Sequence, residues 1–176
     1  MKVKLSDVIF AIDMTNESSE FFLDQETGEI EFVSELTMTQ EEQEEINDRL
    51  DEHGFYRLPT FYEIDHDEIM EDFVETLHGA SYNRLSQAIQ GPGAFGRFED
   101  EVENLGMSRR WYNFQAKAYK EIAIAWCEEN GIEYVRGGIT LDGATVPQLG
   151  GLDKTFDDYG IKESCWLLQV VKADNA

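Results

Sequence analysis

Carboxylates are the commonest reactive groups in this chain, and three runs bring them close together: Glu41, Glu42, Glu44, Glu45; Asp65, Asp67, Glu68; and Asp153, Asp157, Asp158. Such runs suggest cation binding. A calcium loop needs oxygens at alternating positions, a central Gly and a terminal Glu, and no run supplies that spacing. Asp65 and Glu68 read instead as helix-start carboxylates favoured by the macrodipole. Asp157 and Asp158 read as turn and cap residues. His53, His66 and His78 stand apart, with no HxxxH pair and no Cys partner, and read as exposed or helix-end side chains. No metal and no cofactor is expected.

Nucleophilic catalysis requires Ser or Cys beside a base. Cys127 follows Trp126 on the core side of a helix and reads as a small buried hydrophobe. Cys165 precedes an apolar run and reads as structural. Paired carboxylates do acid–base work only where a pocket raises one pKa. An enzyme is therefore the less favoured class, and no catalytic residue is assigned; its pocket would lie near Arg97, Asp100 and Trp111. Arg109, Arg110, Lys117 and Lys120, interleaved with Trp111, Tyr112, Phe114 and Tyr119, suggest base stacking. Helical spacing turns most of those rings inward, so direct nucleic-acid binding is not expected.

The chain has 176 residues, with 14 Lys and Arg against 37 Asp and Glu, a net charge of −23. Residues 1–106 hold 6 basic and 27 acidic side chains, a net −21, and would be repelled by DNA and by anionic lipid. A basic partner would be steered toward this surface. The length suits one domain with at most a small appendage. Aromatics at 12% exclude a merely disordered acidic chain. No apolar run approaches the roughly twenty residues of a membrane span, and Met1-Lys2-Val3-Lys4 does not open a signal peptide. Two cysteines without a CxxC spacing suit reduced thiols, so a cytoplasmic protein is expected.

These groups need elements to position them. Leu5, Val8, Ile9 and Ile12 at helical spacing after Ser6 predict a helix to about Glu17. Strands near 20–24 and 29–34, joined by Asp24-Gln25-Glu26-Thr27-Gly28, predict a hairpin. Thr39 and Glu42 make a capping box for an acidic helix to about His53. Phe55-Tyr56-Arg57-Leu58-Pro59 reads as an extended connector. A helix from Asp65 to about His78, a short one capped by Ser81, and one carrying Phe95, Phe98, Val102 and Leu105 follow. The longest helix runs from Ser108 to about Asn130. Its stripes Trp111, Phe114, Ala118, Ile122, Ala125 and Tyr112, Tyr119, Ala123, Trp126 form a wide apolar face. Beyond 131, an Asp142-Gly143 hairpin and a strand at 166–171 are expected.

Ile69-Met70-Glu71-Asp72-Phe73-Val74, Gly91-Pro92-Gly93-Ala94-Phe95-Gly96-Arg97-Phe98-Glu99-Asp100, Trp111-Tyr112-Asn113-Phe114 and Ala125-Trp126-Cys127-Glu128-Glu129-Asn130-Gly131-Ile132 occur in this order. Over about residues 5–135 the chain thereby resembles the bacterial uncharacterised protein family one hundred and fifty-eight. The resemblance implies no activity. The resemblance implies a more basic middle motif than this chain has: members of that family usually carry Arg where it has Pro92 and Gly96 and Lys where it has Glu99, and commonly an Arg-Asp pair where it has Gln115-Ala116. Any anion-binding or ion-pairing role of those charges does not carry over. Residues 117–171 resemble, more weakly, the C-terminal half of a ubiquitin-like β-grasp through Thr155-Phe156-Asp157-Asp158-Tyr159-Gly160 and the 166–171 strand. A C-terminus of Ala173-Asp174-Asn175-Ala176 lacks the Gly-Gly of a conjugating protein.

The expected fold class is α+β. A mostly helical module at 1–135, with its hairpin at 20–34, is followed by a β-rich extension at 136–176 packed on the 108–130 helix. The expected function is a non-catalytic protein-protein interaction or regulatory module with a basic partner. Contacts are placed at Glu41, Glu42, Glu44, Glu45, Asp67, Glu68, Glu71 and Asp72. The alternatives are an inhibitor that mimics nucleic-acid phosphates and, after it, an enzyme with a carboxylate site.

Overall fold

A computed structural model describes residues 2–135 apart from 35 and 53. The Asp142-Gly143 hairpin, the 166–171 strand, Cys165, and the run Asp153, Asp157, Asp158 lie outside the described residues, as does most of the β-grasp resemblance. The described chain is α+β, as expected. It divides into two units: residues 2–63 with 120–135, and residues 64–119.

The first unit opens with β1 (Lys2–Lys4), which runs directly into α1 (Leu5–Met14). Lys4, in extended backbone, therefore stands at the N-cap, and Ser6 does not cap the helix; its hydroxyl donates to Asp7 Oδ1 at 3.1 Å. The helix ends three residues short of Glu17 because Asn16 bridges to Ser19, whose hydroxyl accepts from the Asn16 amide at 3.1 Å. The expected hairpin is present as β2 (Ser19–Asp24) and β3 (Ile30–Ser34), with Phe21 opposite Phe32 and Leu23 opposite Ile30. Asp24 dictates its turn. One carboxylate oxygen accepts from the amides of Glu26 and Thr27, and Gly28 takes φ 75°, a conformation open to a residue without Cβ.

The acidic helix α2 (Gln40–Glu52) starts at its capping box: Glu42 Oε2 accepts from the Thr39 amide at 2.8 Å, and Thr39 Oγ1 accepts from the Glu42 amide at 3.3 Å. The segment read as a connector is a strand, β4 (Phe55–Arg57), antiparallel to β2 and completing the order β3-β2-β4. Three residues are too few to show a period of two; pairing with β2 makes the strand. Likewise β5 (Glu133–Val135) pairs in parallel with β1, Val3 opposite Tyr134, a long-range ladder that no local pattern announces. Phe10, Ile12, Phe21, Leu23, Phe32, Ala123, Trp126 and Cys127 are buried in this unit.

The second unit is helical: α3 (His66–Glu75), α4 (Gly79–Ala88), α5 (Ala94–Asn104) and residues 108–119 of α6 (Ser108–Glu129). Asp65 caps α3, its Oδ1 accepting from the Glu68 amide at 2.9 Å. The following helix begins after His78, two residues before the expected Ser81 cap, which places Ser81 inside it. Gly106 closes α5 with a paired motif: its amide donates to Glu103 O and the Met107 amide to Val102 O, both at 2.9 Å. The core is an aromatic cluster. The Trp111 ring centre lies 4.7 Å from that of Phe98 and 5.2 Å from that of Phe73, and the three rings meet edge to face. Phe95 and Ala125, expected inside, are exposed.

Candidate functional site

The eight carboxylates singled out from the sequence are exposed, four in each unit. In the first unit, α2 is held by its inner side chains. Gln43 Nε2 donates to Met38 O at 3.1 Å and Ser34 O at 3.3 Å, and Arg49 pairs with Glu31 at 2.6 Å. That fixes which side of the helix carries Glu41, Glu44 and Glu45. Glu42 shares its carboxylate between the solvent and the capping box. Leu36, 78% exposed, precedes the helix.

In the second unit, α3 buries Ile69, Met70, Phe73 and Val74 and turns Asp67, Glu68, Glu71 and Asp72 outward. Asp67 with Glu71, and Glu68 with Asp72, are like charges at i, i+4. Each such pair costs a few tenths of a kcal/mol (~0.2–0.5) in an isolated helix. The macrodipole favours only those in the first turn, Asp67 and Glu68.

Of the residues near which an enzyme's pocket is expected, Asp100 is exposed. Trp111 is buried, and Arg97 folds back on the preceding loop, donating to the carbonyls of Ala88, Gln90, Gly91 and Pro92. An open cleft of about 470 Å³ lies along α6, between Arg109, Arg110, Asn113, Phe114 and Lys117 on one side and Phe73 and Thr76 on the other. Helical spacing predicts most of the aromatics of this helix to face inward. Trp111 and Tyr119 are buried, but Phe114 is half-buried and faces the cleft. Spacing carried the signal: 109, 110, 113, 114 and 117 make one helical stripe.

Glu99 is half-buried, and its carboxyl is held above the usual range first by burial and then by Asp100. Gln115 is buried and donates to the Tyr119 hydroxyl at 3.0 Å. Cys127 is buried, and desolvation, followed by Glu128, pushes its thiol up to about 11. It is therefore protonated at neutral pH and is no nucleophile there. His66 opens α3 with its ring centre 6.4 Å from those of Phe95 and Tyr119, His78 stands at the N-cap position of α4 without a side-chain cap bond, and His53 lies outside the described residues.

Arg57 and Glu63 form the best-made ion pair, with two parallel bonds of 2.8 Å. Arg57, the amide and hydroxyl of Thr60 at 2.9 Å, and the coulombic field of Arg57 hold the Glu63 carboxyl down to about 2. A depressed carboxylate contributes stability above its unfolded pKa, near 4.5, and loses it as pH falls toward 2. The Glu63 side chain is 50% exposed, so solvent screening limits the contribution to less than about 1 kcal/mol. Glu63→Gln is expected to destabilise by less than about 1 kcal/mol at neutral pH, and by progressively less as pH falls from 4.5 through about 2. Urea unfolding at stepped pH measures it; a penalty independent of pH contradicts the assignment.

Among the described residues no three His, Cys, Asp or Glu side chains cluster as metal ligands, and no helix is long and apolar enough to cross a membrane. No curated protein and no solved structure matches the chain. The ordered motifs of residues 5–135 do find a counterpart: the model of the Uncharacterised protein family (UPF0158) matches residues 1–146, and the chain belongs to that family.

Proposed function

We propose that the chain is a non-catalytic binding module whose acidic helices engage a basic protein partner. Glu41, Glu42, Glu44 and Glu45 of α2 and Asp67, Glu68, Glu71 and Asp72 of α3 supply the contacts. The observation that carries this reading is the makeup of α3. Its ten residues hold five carboxylates and no Lys or Arg, while its apolar side is fully used in the core. The outward face is thus self-repelling, and a cationic surface laid against it relieves that repulsion. Leu36, beside α2, adds an apolar point of contact of the kind that interfaces bury at their centre.

Attraction of this type speeds association and weakens with salt, since charges separated by more than about 8 Å are screened at physiological ionic strength. Affinity capture from host lysate at low and high salt tests it, alongside a variant with Asp67→Asn, Glu68→Gln, Glu71→Gln and Asp72→Asn. Asp65, the helix cap, is left intact. A basic protein captured at low salt and lost both at high salt and by the variant is the expected result. A partner retained unchanged under either condition contradicts the proposal.

A further inference from the structure

Residues 104–120 carry four of the chain's 14 Lys and Arg and no Asp or Glu. Three of the four, Arg109, Arg110 and Lys117, line the 470 Å³ cleft of the second unit. Arg110 is fixed there: one Nη donates to the carbonyl and hydroxyl of Thr76, both at 3.2 Å, and its guanidinium lies 5.9 Å from the centre of the Phe73 ring. Arg109 and Lys117 are exposed, and among the described residues neither has a carboxylate within 4.0 Å. The contrast with the other arginines among the described residues is sharp. Arg49, Arg57 and Arg84 are paired with Glu31, Glu63 and Glu101, and Arg97 is taken up by backbone carbonyls. In so acidic a chain, three cations gathered round one cleft, none with an acidic partner among the described residues, leave an excess of positive charge that an anion would neutralise.

The walls say which kind of anion. Phe114 offers the side of a half-buried ring, and Asn113 beside it offers both a donor and an acceptor. A volume of about 470 Å³ falls in the range of small-molecule sites, ~300–1,000 Å³. We propose that this cleft binds a small phosphorylated ligand with a planar ring, of the mononucleotide class. Arg109 and Lys117 hold the phosphate, Arg110 supplies a pre-positioned positive wall, and the ring lies against Phe114 with its polar edge toward Asn113. A single phosphate group meets little of the repulsion that a net charge of −23 imposes on a long strand.

The test is an amide NMR titration of the full chain with AMP, and separately with inorganic phosphate, adenosine and a single-stranded oligoadenylate. Saturable shifts with AMP around residues 106–117 and Thr76, weaker with phosphate and weaker with adenosine, are expected. Arg109→Ala with Lys117→Ala, both at exposed positions, is expected to lower AMP affinity about tenfold or more while leaving the thermal unfolding curve unchanged, since charge-assisted hydrogen bonds are lost. Phe114→Leu is expected to bring AMP down to the level of inorganic phosphate. An absence of saturable shifts with AMP, an unchanged affinity in the double variant, or adenosine binding as well as AMP overturns the proposal. So does tighter binding of the oligoadenylate, which would assign the cleft to a nucleic-acid strand.

Discussion

Trp111→Ala is expected to destabilise the second unit by about 3–5 kcal/mol, the range for deleting a large buried aromatic. The ring is 1% exposed and is the meeting point of Phe73 on α3 and Phe98 on α5. Removing it leaves both partners facing a void, and total stabilities of about 5–15 kcal/mol make such a loss severe. Trp111→Phe is a sharper test. The Trp111 indole N–H is buried with no hydrogen-bond partner among the described residues, so the native side chain already bears an unmade bond worth about 1–3 kcal/mol. Phenylalanine removes that donor and some volume together, and the two effects oppose each other. A net cost under about 1 kcal/mol is expected, read by urea unfolding followed by circular dichroism. A Phe variant as damaged as the Ala variant would mean that the indole N–H is bonded in solution.

The elements legible in the sequence are those whose determinants are local. Thr39 with Glu42, and Asp65 with Glu68, announce helix starts because a cap satisfies amides three residues away. Asp24 and Gly28 announce the hairpin turn for the same reason. What local pattern cannot encode is a strand that exists only through its partner. Residues 2–4 pair with 133–135, and residues 55–57 join a sheet already defined by residues 19–34. The early start of α4 is a related case: Ser81 has the chemistry of a cap, yet the helix begins at Gly79.

The same division applies to the candidate surfaces. Helical spacing tells which side of α3 must be polar, because Ile69, Phe73 and Val74 claim the other. It cannot tell which polar stripe of α6 borders open space, since that depends on the height of the neighbouring helix. Spacing alone groups Phe114 with Trp111 on the apolar face, whereas its ring lies 5.5 Å from that of Phe73 and lines the cleft. A chain this acidic also draws attention to its carboxylates, where exposure is the default, and away from Arg109 and Lys117, where the lack of a nearby carboxylate among the described residues is the unusual feature.

In the first unit the corresponding substitution is expected to behave differently. Trp126 is 8% exposed, and its ring meets Tyr56 edge-on at 6.5 Å. Its Nε1–H, unlike that of Trp111, is used: it donates to the Arg57 carbonyl at 3.1 Å, tying the second half of α6 to β4. Trp126→Ala is expected to cost about 3–5 kcal/mol, through the void and the loss of that tie. Trp126→Phe keeps most of the ring and deletes a made bond, so a cost of about 1–2 kcal/mol is expected, exceeding that of Trp111→Phe. Strand β4 has three residues and depends on this support, so the damage should be visible there first. The Leu58 amide, which donates to Phe21 O at 2.9 Å, reports it. Its hydrogen-exchange protection is expected to fall in Trp126→Phe while the amides of the β2–β3 ladder keep theirs. Equal loss across all three strands would show that Trp126 supports the sheet as a whole and that the indole–carbonyl bond has no local role in holding β4.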